Sequence, residues 1–149
     1  MHGRVATIAL AAALAAGSGA FAQAVQPGQW TMTTTIQSLD MKRALPPAMA
    51  EAMKKPTTSE TCVTPERAAK GFQNAMDNAD CPTKNMTVNG GVLDAQLVCK
   101  AEGGGTRTMH FHGPYSPTGY SLTVDTVETG ARPRSMKMTM VAKRIGACH

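Results

Sequence analysis

Four cysteines, eleven methionines and four histidines are the side chains of this 149-residue sequence with the most chemistry to offer. Cys62, Cys81, Cys99 and Cys148 could form two disulfides or a four-thiolate zinc site. No two of them are spaced as a C-x2-C knuckle, so disulfides are expected and zinc is not. Asn89-Gly90-Gly91 is a strong hairpin turn signal, and Cys81 and Cys99 are equidistant from Gly90, so they should face each other across that hairpin. Cys62 is then left to join Cys148 and tie the C-terminus to the first half of the domain.

Thioethers and imidazoles are the second set. Met136, Met138 and Met140 recur with period two, and His110 and His112 share one face of a strand. Thioether sulfur suits Cu(I) and imidazole suits Cu(II), so these five residues define a copper-binding alternative. The competing use of the methionine stripe is core packing by flexible side chains in a chain with only 4% aromatics, and that use is favoured. The histidine pair supplies fewer ligands than a metal site normally needs. Asp125 is the nearest carboxylate that hairpin pairing would bring to it. Catalytic patterns are missing: there is no G-x-S-x-G, no H-E-x-x-H, and Gly103-Gly104-Gly105 lacks the Lys-Ser/Thr of a phosphate loop. The expectation is a protein that is not an enzyme and carries no cofactor.

These residues must be positioned by strands. Trp30, Met32, Thr34 and Ile36 alternate with threonines, as a half-buried strand does. Met41, Leu45, Met49 and Met53 recur every four residues around Pro46-Pro47, which predicts a short amphipathic helix begun by Pro47. Thr57 to Val63 reads as a polar strand, and Thr64-Pro65-Glu66 as the start of a second short helix running to about Gln73. Arg107 to His112 and Tyr120 to Val127 predict a hairpin turning at Gly113-Pro114-Tyr115-Ser116-Pro117, with Met109 and Phe111 on one face and both histidines on the other. A final strand carries Met136, Met138, Met140 and Ala142 on one face. The expected fold is mainly β: a single antiparallel curved sheet or partly closed barrel with one or two short helices and two disulfides.

His2 and Arg4, the apolar run Val5 to Ala16 and Ala20-Phe21-Ala22 form a secretory signal, with cleavage expected between Ala22 and Gln23. Residues 1–22 are therefore set apart from one β-rich domain over 23–149. The apolar run is too short to span a bilayer, so no membrane span is expected, and the localisation is periplasmic or secreted. The mature chain has 14 Lys+Arg against 10 Asp+Glu, a net charge of +4. Arg132, Arg134, Lys137, Lys143 and Arg144 make the last strand basic. Their favoured role is a solvated face that discourages edge-to-edge pairing, and weak contact with anionic surfaces is the alternative. Nucleic acid is excluded by secretion and by the scarcity of stacking aromatics.

Pro27-Gly28-Gln29-Trp30 opening the first strand, Cys62-Val63-Thr64-Pro65-Glu66, the paired Cys81 and Cys99, and the terminal Ile145-Gly146-Ala147-Cys148 occur in this order behind the signal. In these features the chain resembles the uncharacterised bacterial domain-of-unknown-function family 3617, over about Gln26 to Cys148. The resemblance implies a small secreted or periplasmic β-rich domain with a cysteine framework, and transfers no catalytic or ligand residue. The expected function is a non-catalytic periplasmic binding or interaction module. Its concave sheet face and methionine-rich helix would meet an apolar ligand or an envelope protein. The copper-binding protein is the alternative, and a purely structural envelope protein the third.

Overall fold

Period-two alternation runs through most of the residues described by the computed structural model, 25–70, 81 and 83–149, and folds them into seven antiparallel strands. In chain order the elements are β1 (Gly28–Met41), α1 (Pro47–Met53), β2 (Thr57–Val63), α2 (Pro65–Ala69), β3 (Thr83–Asn89), β4 (Val92–Lys100), β5 (Thr106–Ser116), β6 (Gly119–Glu128) and β7 (Arg134–Gly146). They form one sheet in the order β2-β1-β7-β6-β5-β4-β3, which is not closed into a barrel. The signal segment and its cleavage site lie outside the described residues, as do residues 71–73 of the second predicted helix.

Local chemistry accounts for the element ends. Pro47 opens α1 with its φ already helical, and the helix stops after seven residues without burying any of them. The Thr64 hydroxyl accepts the Arg67 amide at 3.3 Å and so caps α2, whose Ala68 is buried. Gly90 and Gly91, at φ 57° and 75°, make a two-residue turn between β3 and β4. That turn centres the hairpin between the two glycines, so Asn89 pairs with Val92 and Thr83 with Val98. The register is one residue away from the predicted symmetry about Gly90. Cys81 precedes β3 rather than lying opposite Cys99 within the ladder, yet the two are bridged, as are Cys62 and Cys148.

Three expectations are corrected. Met41 ends β1 instead of starting a helical face, because β1 runs five residues past Ile36 through a register shift between Ile36 and Ser38. Only Met49 and Met53 of the four predicted positions lie on α1, and both are exposed. The β5–β6 turn is only Pro117-Thr118, with Ser116 paired to Gly119, so Gly113 to Ser116 are strand. At Gly113, φ is 151° and an added Cβ would collide with the Ser121 carbonyl oxygen, so glycine permits this close approach. Finally, β7 is no edge. It pairs with β1 on one side and β6 on the other, and its basic residues guard no open strand.

Paired residues share a face, so the ladders sort the side chains. One face carries Trp30, Met32, Ile36, Leu39 and Met41 of β1, Met136 to Ala142 of β7 at even positions, and Tyr120, Leu122 and Val124 of β6. Met109, Phe111 and Tyr115 of β5 and Leu93, Ala95 and Leu97 of β4 continue it. Leu93, Leu97, Leu122 and Val124 are its largest fully buried side chains among the described residues, each contributing about 1.5–3 kcal/mol on burial. Trp30 stacks 6.3 Å from Tyr120, which stacks 6.3 Å from Tyr115, so an aromatic group closes one end of this face.

Candidate binding face

Along the apolar face, the strand registers arrange β1, β7, β6 and β5 in rows. Leu39, Met136, Thr126 and Met109 form one row, and Ile36, Met138, Val124 and Phe111 the next. Val124 and Thr126 are buried in the middle, while the methionines, Phe111, Ile36 and Leu39 are only partly buried. The methionine stripe thus lies on the core side, as expected, and is not sealed there. α1 buries no residue. Between it and β1 lies a cleft of about 280 Å³, lined by Ile36, Leu39 and Met41 on the strand side and by Leu45, Ala50 and Met53 on the other.

At the end of the face away from the aromatics, the next row is charged. Arg107 of β5, Glu128 of β6 and Arg134 of β7 are register partners on the same side as the methionines. Glu128 Oε2 accepts the Arg107 Nε–H and the Arg134 Nε–H, each at 3.0 Å, and lies 2.9 Å from Arg134 Nη2 in an ion pair. The Arg107 hydrogen bond is the main cause that holds the Glu128 carboxyl below the usual glutamate range, with Arg134 adding to it against the opposing effect of desolvation. Glu128 is only 6% exposed, a buried charge that needs such partners. Above the trio opens a cavity of about 870 Å³ bounded by Lys42, Arg43, Glu102, Arg132 and Pro133 from three loops. Met41 and Arg43 line both this cavity and the cleft beside α1. No sequence pattern announced this cluster. Each residue falls at the end of a different strand, and only the alternation at those ends could have signalled a shared face.

The opposite face carries the histidines. His110 Nε2 and His112 Nδ1 both lie against Asp94 Oδ2, at 3.1 and 3.0 Å, and their rings stack 6.3 Å apart. The His112 hydrogen bond, above all, lowers the Asp94 carboxyl below its ordinary range. Asp125, the carboxylate that hairpin pairing predicts, does pair with His110 in register but forms an ion pair with Lys137 at 3.3 Å. Asp94 comes instead from β4, through a strand pairing that the hairpin signal alone could not give. The sheet separates both histidines from Met136, Met138 and Met140, so the five candidate copper ligands do not converge. Among the described residues, no group of three or more His, Cys, Asp or Glu side chains is placed to hold a metal.

The basic terminal strand is likewise split. Arg134 faces the cavity, Lys137 faces Asp125 on the other side, and Arg144 donates its Nε–H to the Pro27 carbonyl at 2.8 Å. No helix among the described residues is long and apolar enough to cross a membrane. Two disulfides and the absence of such a helix are compatible with an extracellular or periplasmic protein. In comparisons with known proteins, the family model described as Protein of unknown function (DUF3617) matches residues 25–148. No curated protein and no solved structure matches the chain.

Proposed function

From a chain that belongs to this family of unknown function, we propose a non-catalytic binding module of the periplasm, exported by residues 1–22 and cleaved between Ala22 and Gln23. The observation that carries the proposal is the partly open apolar face. Met109, Phe111, Met136, Met138 and Ile36 form two adjacent rows, and the one helix beside them leaves a cleft instead of packing down. Thioethers suit such a surface because they are apolar, unbranched and able to follow the shape of what they touch. The face takes an apolar ligand, and catalysis is no part of its role.

Titration with an uncharged naphthylamine dye that brightens in apolar surroundings tests this. Saturable binding by the mature protein, weakened by Met138→Gln and unchanged by Val141→Gln on the opposite face, is the expected result. A dye that stays dim, or one that responds equally to both substitutions, overturns the proposal. Intact mass of protein recovered from a periplasm tests export: the chain should begin at Gln23 and be four hydrogens lighter than its reduced form.

A further inference from the structure

The apolar face is closed by aromatics at one end and by cations at the other. The trio of Arg107, Glu128 and Arg134 uses one carboxylate oxygen for two guanidinium groups. The terminal amino groups of Arg107 have no ion-pair or hydrogen-bond partner among the described residues. Neither do Lys42, Arg43 and Arg132 at the cavity wall. The wall as a whole presents five cationic side chains against two carboxylates, a formal charge of +3. Glu128 therefore orients two arginines and leaves them undercompensated, which suits a second anion entering from the cavity.

What joins that anion is decided by the floor beyond it. Strands β5, β6 and β7 are each paired on both sides, so their backbone N–H and C=O groups are taken. A peptide laid across this floor would leave its own amides unpaired, at a cost an alkyl chain does not incur. Rows along a strand repeat about every 6.8 Å, and four steps lead from Arg134 to Ala142, so the face runs for about 27 Å. We propose that the ligand is a single acyl-chain amphiphile with an anionic, oxygen-rich headgroup. The headgroup sits in the cavity among Arg43, Arg107, Arg132 and Arg134, and the tail lies over Met109, Met136, Phe111 and Met138. This rests on the binding face proposed above and adds the chemistry of its occupant.

Displacement of the uncharged dye by dodecyl phosphate, dodecanol and dodecyltrimethylammonium, on the mature chain, tests it. Dodecyl phosphate should displace the dye at a concentration about tenfold below that of dodecanol, with the ammonium compound weakest. The double variant Lys42→Gln/Arg132→Gln removes two cations that line this cavity and not the cleft beside α1, and that hold nothing in the fold. It should bring dodecyl phosphate to the level of dodecanol and leave dye binding unchanged. Equal displacement by all three amphiphiles overturns the headgroup assignment while the apolar binding face stands. Absence of dye binding removes both. Inorganic phosphate competing as well as dodecyl phosphate would make the cavity a plain anion site. Capture of the protein on anionic vesicles without displacement of dye would make it a membrane-surface contact. Either result overturns the amphiphile.

Discussion

Removing the Cys62–Cys148 bridge with Cys62→Ala/Cys148→Ala should cost a large part of the stability of this domain, and the size follows from the covalent topology. The bridge spans 86 residues, and the Cys81–Cys99 bridge nested inside it short-circuits 18 of them. With the inner bridge kept, the outer closed loop is about 68 residues, and chain-entropy scaling gives about 4.4 kcal/mol. Little packing is lost in addition, because Cys148 is exposed and Cys62 only half-buried. For the 114 described residues, with an unfolding entropy of about 2.1 cal/mol/K each, that is a fall in Tm of about 18 °C. Urea unfolding is the assay: the midpoint should fall and the m-value rise, since the opened denatured chain exposes more surface. A loss below about 1 kcal/mol would refute the entropic reasoning. So would hydrogen exchange showing that only β2 detaches from β1 while global unfolding is unchanged, because the bridge would then merely pin an edge strand.

Leu122→Ala, at a fully buried site on β6, should destabilise by about 2–5 kcal/mol. Val127→Ala, 52% exposed on the same strand, should stay within about 0.5 kcal/mol in the same urea assay. Gly113→Ala should cost about 1–3 kcal/mol, read by thermal unfolding, because its positive φ and the Ser121 carbonyl leave no room for a Cβ; a variant as stable as the parent would contradict this. Carbon-detected NMR should show the Glu128 carboxyl titrating below its ordinary value of 4.5, and Arg107→Gln should raise it. A depressed folded pKa means that the stabilisation is complete above about 4.5 and is lost as pH falls through the folded value. The acid-unfolding midpoint of Arg107→Gln should therefore move to higher pH, and an unmoved midpoint would deny Glu128 that role.

Much of the fold was legible from local signals. Thr57 to Val63 is a strand as read, Pro47 opens a helix, and Thr64 caps the next one. The cysteine pairing followed from one turn signal and elimination, even though the turn sits between two glycines and shifts the register by one. A period-four recurrence of apolar residues across Pro46-Pro47 mimics a helical face that would include Met41, whereas β1 carries its own alternation on to Met41 through a bulge. The Gly113-Pro114 pair signals a turn because those residue types usually make one, while here a close backbone approach uses the glycine inside a strand.

The sequence by itself determined which side chains share a face within each strand, because strand alternation has a fixed period of two and needs no neighbour. That was enough to put Met136, Met138 and Met140 on one face of their strand, and His110 and His112 on the face of theirs opposite Met109 and Phe111. Tertiary structure alone decided which strands adjoin. Burying β7 between β1 and β6 turned an apparent basic edge into the floor of the apolar face, and pairing β4 with β5 set Asp94 under both histidines. The arginine–glutamate–arginine row exists only because three strands end in register, and register between strands is set by long-range pairing and packing that no local pattern encodes.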